Sequence, residues 1–526
     1  MSPTTLRSAA ALGGLAVFLV TGLWTARTSN TGPLARDLAA SILIAWAFTL
    51  AAWGLARRLV ANPDRAFLLA VLALCWLTLA GTAGHLATQV FAPRRVDGQA
   101  IAIGWTAGMA ALGTAVVMAK GSAERVVDIL RSAALVLVLL TVGRVGLVLG
   151  GQRASAANAA WTDTRSAERP DIYLILLDKR SSAGWIRAAY GYDQRAFNDS
   201  LAALGFKVPA AYANYAHTQL SLPSILAGRL LQDDSTMAQT PVGNLTQLVG
   251  ESPLWQDLRA RGYRIAFFPS TYVATRTLPA ADLIFEYAGD WQGPLAESLL
   301  WHSPMGLTPR LRCVVVQCPT PVIAPYSIES ARNLEWKLET LPTLADSAGP
   351  IFAFLYLLSP HEPYLYTNDC SHRDPWWPLS DVTASQADSI RRAYATQTRC
   401  MDSLVLATVS AIQRRSKRPP IIVITGDHGH GRINMDAVRG LNLELEQLRP
   451  EQLAERLRVF TAVKLPSGRD TVPDALSLVE LLPLVRRAAW GDSVALQRDA
   501  PTYWSPFQRL KGFVPIPRER LFEPAQ

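Results

Sequence analysis

Residues 420–431 read Pro-Ile-Ile-Val-Ile-Thr-Gly-Asp-His-Gly-His-Gly, a β-branched run that delivers Asp427 and His428 at its end. A short apolar run without polar alternation fits a strand buried on both faces, as in a parallel sheet covered by helices. Ile172–Leu177 (IYLILL) is a second such run, and it ends in Asp178. Tyr263–Phe268, Ile351–Leu357 and Val459–Leu465 are further short β-branched or aromatic runs. Amphipathic stretches at 326–341, 383–414 and 474–488 alternate with them. Strands separated by helices predict an α/β domain with a mainly parallel sheet covered by helices on both faces. Ligands of such sheets bind beyond the carboxyl ends of the strands, where Asp178 and Asp427 fall. No internal repeat or low-complexity tract interrupts the pattern.

The other end of the chain has a different character. Half of the 526 residues are hydrophobic, and the mean hydropathy of +0.15 is high for a soluble enzyme. That content excludes disorder, and five Cys exclude a small disulfide scaffold. The net charge of +9 is unevenly divided. Residues 1–153 hold 13 Lys/Arg against 5 Asp/Glu, so the remainder is close to neutral. The basicity therefore belongs to the apolar end and reads as membrane topology, not as a nucleic-acid surface. Uncharged apolar runs cover 8–26, 38–56, 66–93, 98–119 and, with Arg144 inside, 132–152. Each is long enough to cross a ~30 Å hydrocarbon core as a helix. Five membrane helices are expected, the first uncleaved, with Arg144 facing other helices or reaching an interface. Arg7, Arg57, Arg58, Arg65, Lys120, Arg125 and Arg131 fall on one side, against Arg27, Arg36, Arg94 and Arg95 on the other. That asymmetry places the amino terminus inside and everything after residue 153 outside the cytoplasm. The expected organisation is a transmembrane helical domain over 1–153, a linker over 154–170 and an extracytoplasmic domain over 171–526, in a multi-pass protein of the cell membrane.

Cys75 lies in the third apolar run and is expected free. Cys313, Cys318, Cys370 and Cys400 lie in the second domain, where an oxidising compartment permits disulfides. Three pairings are open. Cys313–Cys318 with Cys370–Cys400 closes the shortest loops. Zinc ligation by these four lacks the paired CxxC spacing.

The chemistry is expected at the strand tips. A rigid strand that ends in a carboxylate holds a metal ligand well, and Asp178, Asp427 and His428 together offer oxygen and imidazole donors suited to Zn²⁺ or Mn²⁺. The third segment is Asn214-Tyr-Ala-His-Thr-Gln-Leu-Ser-Leu-Pro-Ser-Ile-Leu-Ala-Gly-Arg229. A helix is expected from near Ser221 or Leu222 to just before Gly228, with Pro223 in its first turn. Thr218 then stands ahead of a helix N-terminus, which attracts anions. A metal-bound hydroxyl in that place is a nucleophile toward a bound phosphate.

Thr218–Arg229 resembles the sulfatase frame Cys-x-Pro-Ser-Arg followed by a helix ending Thr-Gly-Arg, with Thr218 in the Cys position and Ser221 in the Ser position. Together with PDIYLILLD, YGYD…F…L…GF, LSPHEPY and PPIIVITGDHG, this identifies the chain over about 170–490 as a member of the alkaline phosphatase superfamily. It resembles the membrane-bound sulfatase-like hydrolases and transferases. Sulfatases oxidise their Cys or Ser to formylglycine, a route closed to Thr218. Leu222 replaces the motif's Arg, and the sulfatase Asp-Asp pair is here Asp178-Lys179. Thr in the nucleophile position instead resembles lipoteichoic acid synthases and lipid A phosphoethanolamine transferases, although their first-strand ligand is usually Glu.

The resemblance implies one divalent metal, Zn or Mn with Mg or Ca as alternatives, held by Asp178, Thr218, Asp427 and His428. His361 in LSPHEPY fits a substrate-binding or leaving-group His. His217, His430 and Arg432 are further candidate substrate contacts, whereas His302 and His372 read as surface residues. The function so implied is a metal-dependent phosphotransferase or phosphodiesterase acting on a cell-envelope lipid or glycan at the bilayer. No nucleic acid and no obligate protein partner is evident. The alternatives are a sulfuric-ester hydrolase and a catalytically silent envelope scaffold.

Overall fold

The computed structural model describes residues 3–27, 35–90, 98–119, 121, 123–157, 169–287, 326–373, 387–431, 442–497 and 500–524. The chain divides into two units, each described here by itself.

The described residues of the first unit form five helices, α1 (Pro3–Arg27), α2 (Ala35–Leu59), α3 (Pro63–Val90), α4 (Gly98–Met118) and α5 (Glu124–Ala157). They fall on the five apolar runs. Leu12, Ala16, Val20, Phe67 and Leu74 form a buried seam between them. Outward-facing positions are apolar too: among the described residues, 16 of the 21 exposed large hydrophobic side chains belong to this unit. Such a surface is unfavourable in water and suits lipid. By length and composition, two helices among the described residues can cross a membrane, over Thr4–Thr21 and Ser41–Leu59. Ile103–Met118 is a shorter apolar stretch. Two of the five expected spans thus meet this criterion among the described residues. In α5, Arg131 donates to Ser8 Oγ at 2.8 Å and to Asp128 at 3.0 Å. The Arg144 side chain lies outside the described residues.

In the second unit, the strands are β1 (Ile172–Leu177), β2 (Ala210–Tyr212), β3 (Arg264–Phe268), β4 (Leu283–Ile284), β5 (Ile351–Leu357), β6 (Ile421–Gly426), β7 (Arg458–Val459), β8 (Thr461–Lys464) and β9 (Ala475–Ser477). The main sheet runs β4-β3-β5-β1-β6-β8. Its first five strands are parallel, and β8 is antiparallel to β6. The sheet is therefore mixed at one edge. The period of two along β1 sends Ile172, Leu174 and Leu176 into one core and Tyr173, Ile175 and Leu177 into the other. After β1 come the helices α6 (Ala183–Tyr190) and α7 (Arg195–Ala203), and α8 (Thr218–Ala227) packs Leu222, Ile225 and Leu226 on the first face. The helices Tyr326–Thr340 and Ala387–Arg415 cover the second, through Leu334, Leu338, Met401, Val405 and Val409.

Two expectations are corrected here. The run Val459–Leu465 is two strands, because the Phe460 amide leaves the ladder to donate to the Arg180 carbonyl at 3.1 Å. β7 instead joins a small second sheet, β7-β2-β9. The stretch 474–488 opens as β9 before the helix Leu481–Trp490 begins. β9 pairs in parallel with β2, and tertiary pairing outweighs local propensity in so short a segment. Cys370 and Cys400 form the expected disulfide and Cys75 is free, whereas Cys313 and Cys318 lie outside the described residues.

Candidate metal and nucleophile site

β1 and β6 are neighbours in register, with Leu177 opposite Gly426. The next residue of each strand is therefore delivered to the same point, and these are Asp178 and Asp427. Both are buried. His428 follows at once. The ligand atoms of Asp178, Asp427 and His428 all lie within 4.8 Å of one another. His428 Nε2 stands 3.9 Å from Asp178 Oδ1 and 3.6 Å from Asp427 Oδ2.

The hydrogen bonds show which atoms are spoken for. Asp427 Oδ1 accepts from the amides of Lys179 at 3.2 Å and His428 at 2.9 Å. Asp427 Oδ2 and Asp178 Oδ1 are buried with no hydrogen-bond partner. His428 Nδ1 lies 2.9 Å from the Gly429 carbonyl, which can only accept. That contact assigns the proton to Nδ1 and leaves a lone pair on Nε2. Two carboxylate oxygens and an imidazole nitrogen thus converge without donors among themselves. Burial, then the neighbouring Asp427 charge, push the Asp178 carboxyl well above its usual range, and burial raises Asp427 too. Burial and the Arg456 charge pull His428 well below its ordinary value, so it is neutral. A divalent cation answers each of these features. The residues present fit one, and the nitrogen-oxygen set suits Zn²⁺ or Mn²⁺.

Thr218 arrives from the small second sheet. After β2, the Ala213 amide donates to Leu457 at 2.8 Å, and Asn214 is held on both sides. Its amide donates to the Pro501 carbonyl at 3.0 Å, and its Oδ1 accepts from Val479 at 3.1 Å. α8 then starts at Thr218, a turn earlier than the sequence suggests. The Leu220 and Ser221 amides both close onto the His217 carbonyl, at 3.0 and 2.8 Å. Pro223 consequently lies inside the helix instead of in its first turn. Gly228 ends it at φ 64°, where a Cβ would also press on Pro483. The Thr218 and Gln219 amides precede the first bond of the helix and face outward from its positive end. Thr218 is 8 % exposed, and its Oγ1 lies 3.0 Å from His428 Nε2. Ser221 sits in the fourth position of α8 and donates to the Asp427 carbonyl at 2.5 Å.

The other candidates lie around this centre. The His361 amide donates to the Asp178 carbonyl at 3.1 Å, which ties the loop after β5 to the tip of β1. Its ring is partly exposed, with Nδ1 at the Glu362 carbonyl. Glu362 in turn pairs with Lys179 at 3.1 Å. The buried His217 ring packs on Trp504 and Phe507, and Nε2 donates to the Ser505 carbonyl at 2.8 Å. Burial takes it down to about 3. His430 is 1 % exposed. Its Nδ1 and Nε2 each lie 2.9 Å from a tyrosine hydroxyl, those of Tyr190 and Tyr364, and the Tyr394 ring packs against it at a tilt of 49°. His372 faces Glu335 at 3.0 Å. Arg432 and His302 lie outside the described residues.

Arg456 escaped the sequence reading. It belongs to the helix Pro450–Leu457 and is buried. It donates to the carbonyls of Ala216 at 2.7 Å and His430 at 3.0 Å, and to His428 Nε2 at 3.3 Å. One guanidinium therefore joins the Thr218 segment to the His428 loop. No local motif marks it. The one available signal was a cation in an otherwise amphipathic helix.

A family model described as Sulfatase matches residues 170–454. No curated protein matches the chain. Among solved structures, the C-terminal periplasmic domain of EcEptC from Escherichia coli is similar at 13 % identity and a TM-score of 0.39, over 66 % of this chain and 88 % of that one. Lipoteichoic acid synthase LtaP from Listeria monocytogenes is similar at 13 % identity and 0.37, over 67 % and 83 %. The integral membrane protein lipooligosaccharide phosphoethanolamine transferase A from Neisseria meningitidis is similar at 10 % and 0.39, over 91 % and 95 %.

Proposed function

Because the chain belongs to the sulfatase family, we propose that it is a membrane-anchored, metal-dependent enzyme that cleaves or transfers a phosphodiester of a cell-envelope lipid or glycan, with Thr218 as nucleophile. The observation that carries the reading is the 3.0 Å approach of Thr218 Oγ1 to Nε2 of His428, beside two buried carboxylate oxygens with no hydrogen-bond partner. A threonine alcohol attacks phosphorus directly, whereas it cannot become the aldehyde that sulfatases use.

A divalent cation bound by Asp178, Asp427 and His428 supplies the charge that favours the Thr218 alkoxide. Thr218 Oγ1 then forms the new bond to phosphorus, and the bond to the leaving oxygen breaks. The Thr218 proton leaves to solvent, and His361 gives the leaving oxygen a proton and regains one from solvent, as an imidazole near neutral pH can. An acceptor hydroxyl or water displaces Thr218 in the second half, returning its proton to the threonine. The Thr218 and Gln219 amides at the start of α8 face the negative charge that develops. Arg456 holds the Thr218 segment and the His428 loop in place. The Cys370–Cys400 disulfide supports an oxidising, extracytoplasmic compartment. The lipid-suited surface of the five helices supports a multi-pass anchor.

The test is turnover by purified full-length protein, with phosphodiester lipids and an aryl sulfate offered side by side. Metal-dependent phosphodiester cleavage with an adduct on the Thr218 peptide is expected. Turnover of the aryl sulfate alone, or phosphodiester turnover undiminished in Thr218→Ala, overturns the reading. Absence of both turnover and bound metal points to a silent scaffold.

A further inference from the structure

Beyond the carboxyl ends of β3 and β5, the second unit carries a shallow recess that opens to solvent. Ser270, Thr271, Asn333, Lys337, Leu357 and Pro363 line it. It adjoins the metal site without sharing its ligands. The Leu357 carbonyl at the recess accepts the Asp178 amide at 3.0 Å. Pro363, on another wall, is two residues from His361, whose amide is bonded to the Asp178 carbonyl. One strand tip and one loop thus lie between the recess and the carboxylates.

The lining is chemically specific. Lys337 comes from the helix Tyr326–Thr340 and is 5 % exposed. Its ammonium donates to the Pro269 carbonyl at 2.5 Å, and among the described residues no carboxylate reaches ion-pair distance. An ammonium has three N–H donors, so two remain. Asn333 Oδ1 is buried with no hydrogen-bond partner. The recess therefore offers a buried cation with spare donors next to an acceptor that lacks a donor. Leu334, Leu357 and Leu358 provide an apolar wall for a carbon frame. A few convergent polar groups beside an apolar wall are the usual lining of a small-molecule site.

We propose that this recess binds an oxyanion with a neighbouring hydroxyl, as a phosphorylated or carboxylated sugar or polyol headgroup presents, and so holds the part of the substrate remote from the reacting phosphorus. The oxyanion meets Lys337, and the hydroxyl donates to Asn333 Oδ1. The assignment of this ligand to a substrate rests on the phosphodiester reading above; the binding itself does not.

Chelator-treated full-length protein in detergent separates the two, since no anion can then sit on a metal. Titration with glucose 6-phosphate, glucuronate and inorganic phosphate is the measurement. Glucose 6-phosphate or glucuronate is expected to bind more tightly than inorganic phosphate. Lys337→Met should weaken that binding at least tenfold, Asn333→Leu severalfold, and Thr218→Ala not at all. The melting transition of each variant verifies folding, and Asn333→Leu carries the test if Lys337→Met does not fold. Failure of both sugar ligands to bind, binding indifferent to both recess variants, or inorganic phosphate binding as well as the sugars overturns the proposal. Binding as expected with no phosphodiester turnover refutes the reaction and leaves the recess assigned.

Discussion

The Ser221 hydroxyl donates to the main-chain carbonyl of Asp427 at 2.5 Å. It braces the helix that begins at Thr218 against the strand tip that carries two metal-ligand candidates. The bond fixes the distance between nucleophile and ligands from the protein side, independently of any ion.

Thr218→Ala is expected to reduce turnover at least a thousandfold, since the covalent route is lost. Ser221→Ala should keep a measurable fraction of activity. It leaves a buried carbonyl without that donor, at a cost of about 1–3 kcal/mol in stability. Steady-state rates and melting curves of the two variants separate chemistry from bracing. Equal loss of activity in both would mean that the brace, not the hydroxyl of Thr218, limits the reaction.

Purified wild-type protein should hold about one equivalent of divalent metal, and Asp178→Asn or His428→Ala should lose most of it. In the metal-free state the order of stability reverses. Asp178 is a buried carboxyl raised well above its usual range, so its ionisation opposes folding and Asn relieves it. Chelated Asp178→Asn should therefore melt above chelated wild type at pH 8. Elemental analysis and calorimetry with and without chelator check both halves.

Loss of the Cys370–Cys400 disulfide should destabilise the second unit. Its 30-residue separation corresponds to about 3–4 kcal/mol of denatured-state entropy on the loop-closure model. Non-reducing peptide maps of protein from its native compartment should show the pair oxidised. Recovery of both as free thiols would contradict the structure.

The recess imposes a pH dependence on stability. Burial lowers Lys337 from 10.5 to about 8, so the unfolded chain binds more protons between those values and stability rises with pH there. Glu286 is not in the recess lining, but its carboxylate acts on Lys337 through its charge; burial raises it from 4.5 to about 7, so its contribution is full below 4.5 and is lost as pH climbs through 7. Lys337→Met should remove the rise above pH 8, which amounts to at most about 3 kcal/mol. Denaturant titrations at pH 7, 8.5 and 10 measure it. A rise that persists in the variant would assign the proton elsewhere.

A periplasm-active reporter fused at residue 160 should be active, as the positive-inside asymmetry of the first unit requires. Activity only of a cytoplasm-dependent reporter at that position would invert the topology and remove the oxidising setting of the disulfide.

Local sequence determined the strands and their chemical endings. Ile172–Leu177 and Ile421–Gly426 are β-branched or aliphatic enough to be buried on both faces, so the residues that follow them had to emerge at the sheet's carboxyl edge. Asp178, Asp427 and His428 were legible for that reason, and Thr218 because a helix start follows it. The Gly228 stop was legible because glycine is the usual residue at a left-handed helix end. Only tertiary structure decided the rest. The split at Phe460, the strand Ala475–Ser477 and the early start of α8 each depend on a hydrogen-bond partner more than 200 residues away or on a carbonyl freed by a neighbouring turn. Ser221 became a brace because β6 lies beside its helix. Arg456, the tyrosine cage of His430 and the Lys337 recess are built from residues with no common spacing. They come together only when the parallel sheet aligns the ends of strands that are distant in sequence, and no local pattern records that alignment.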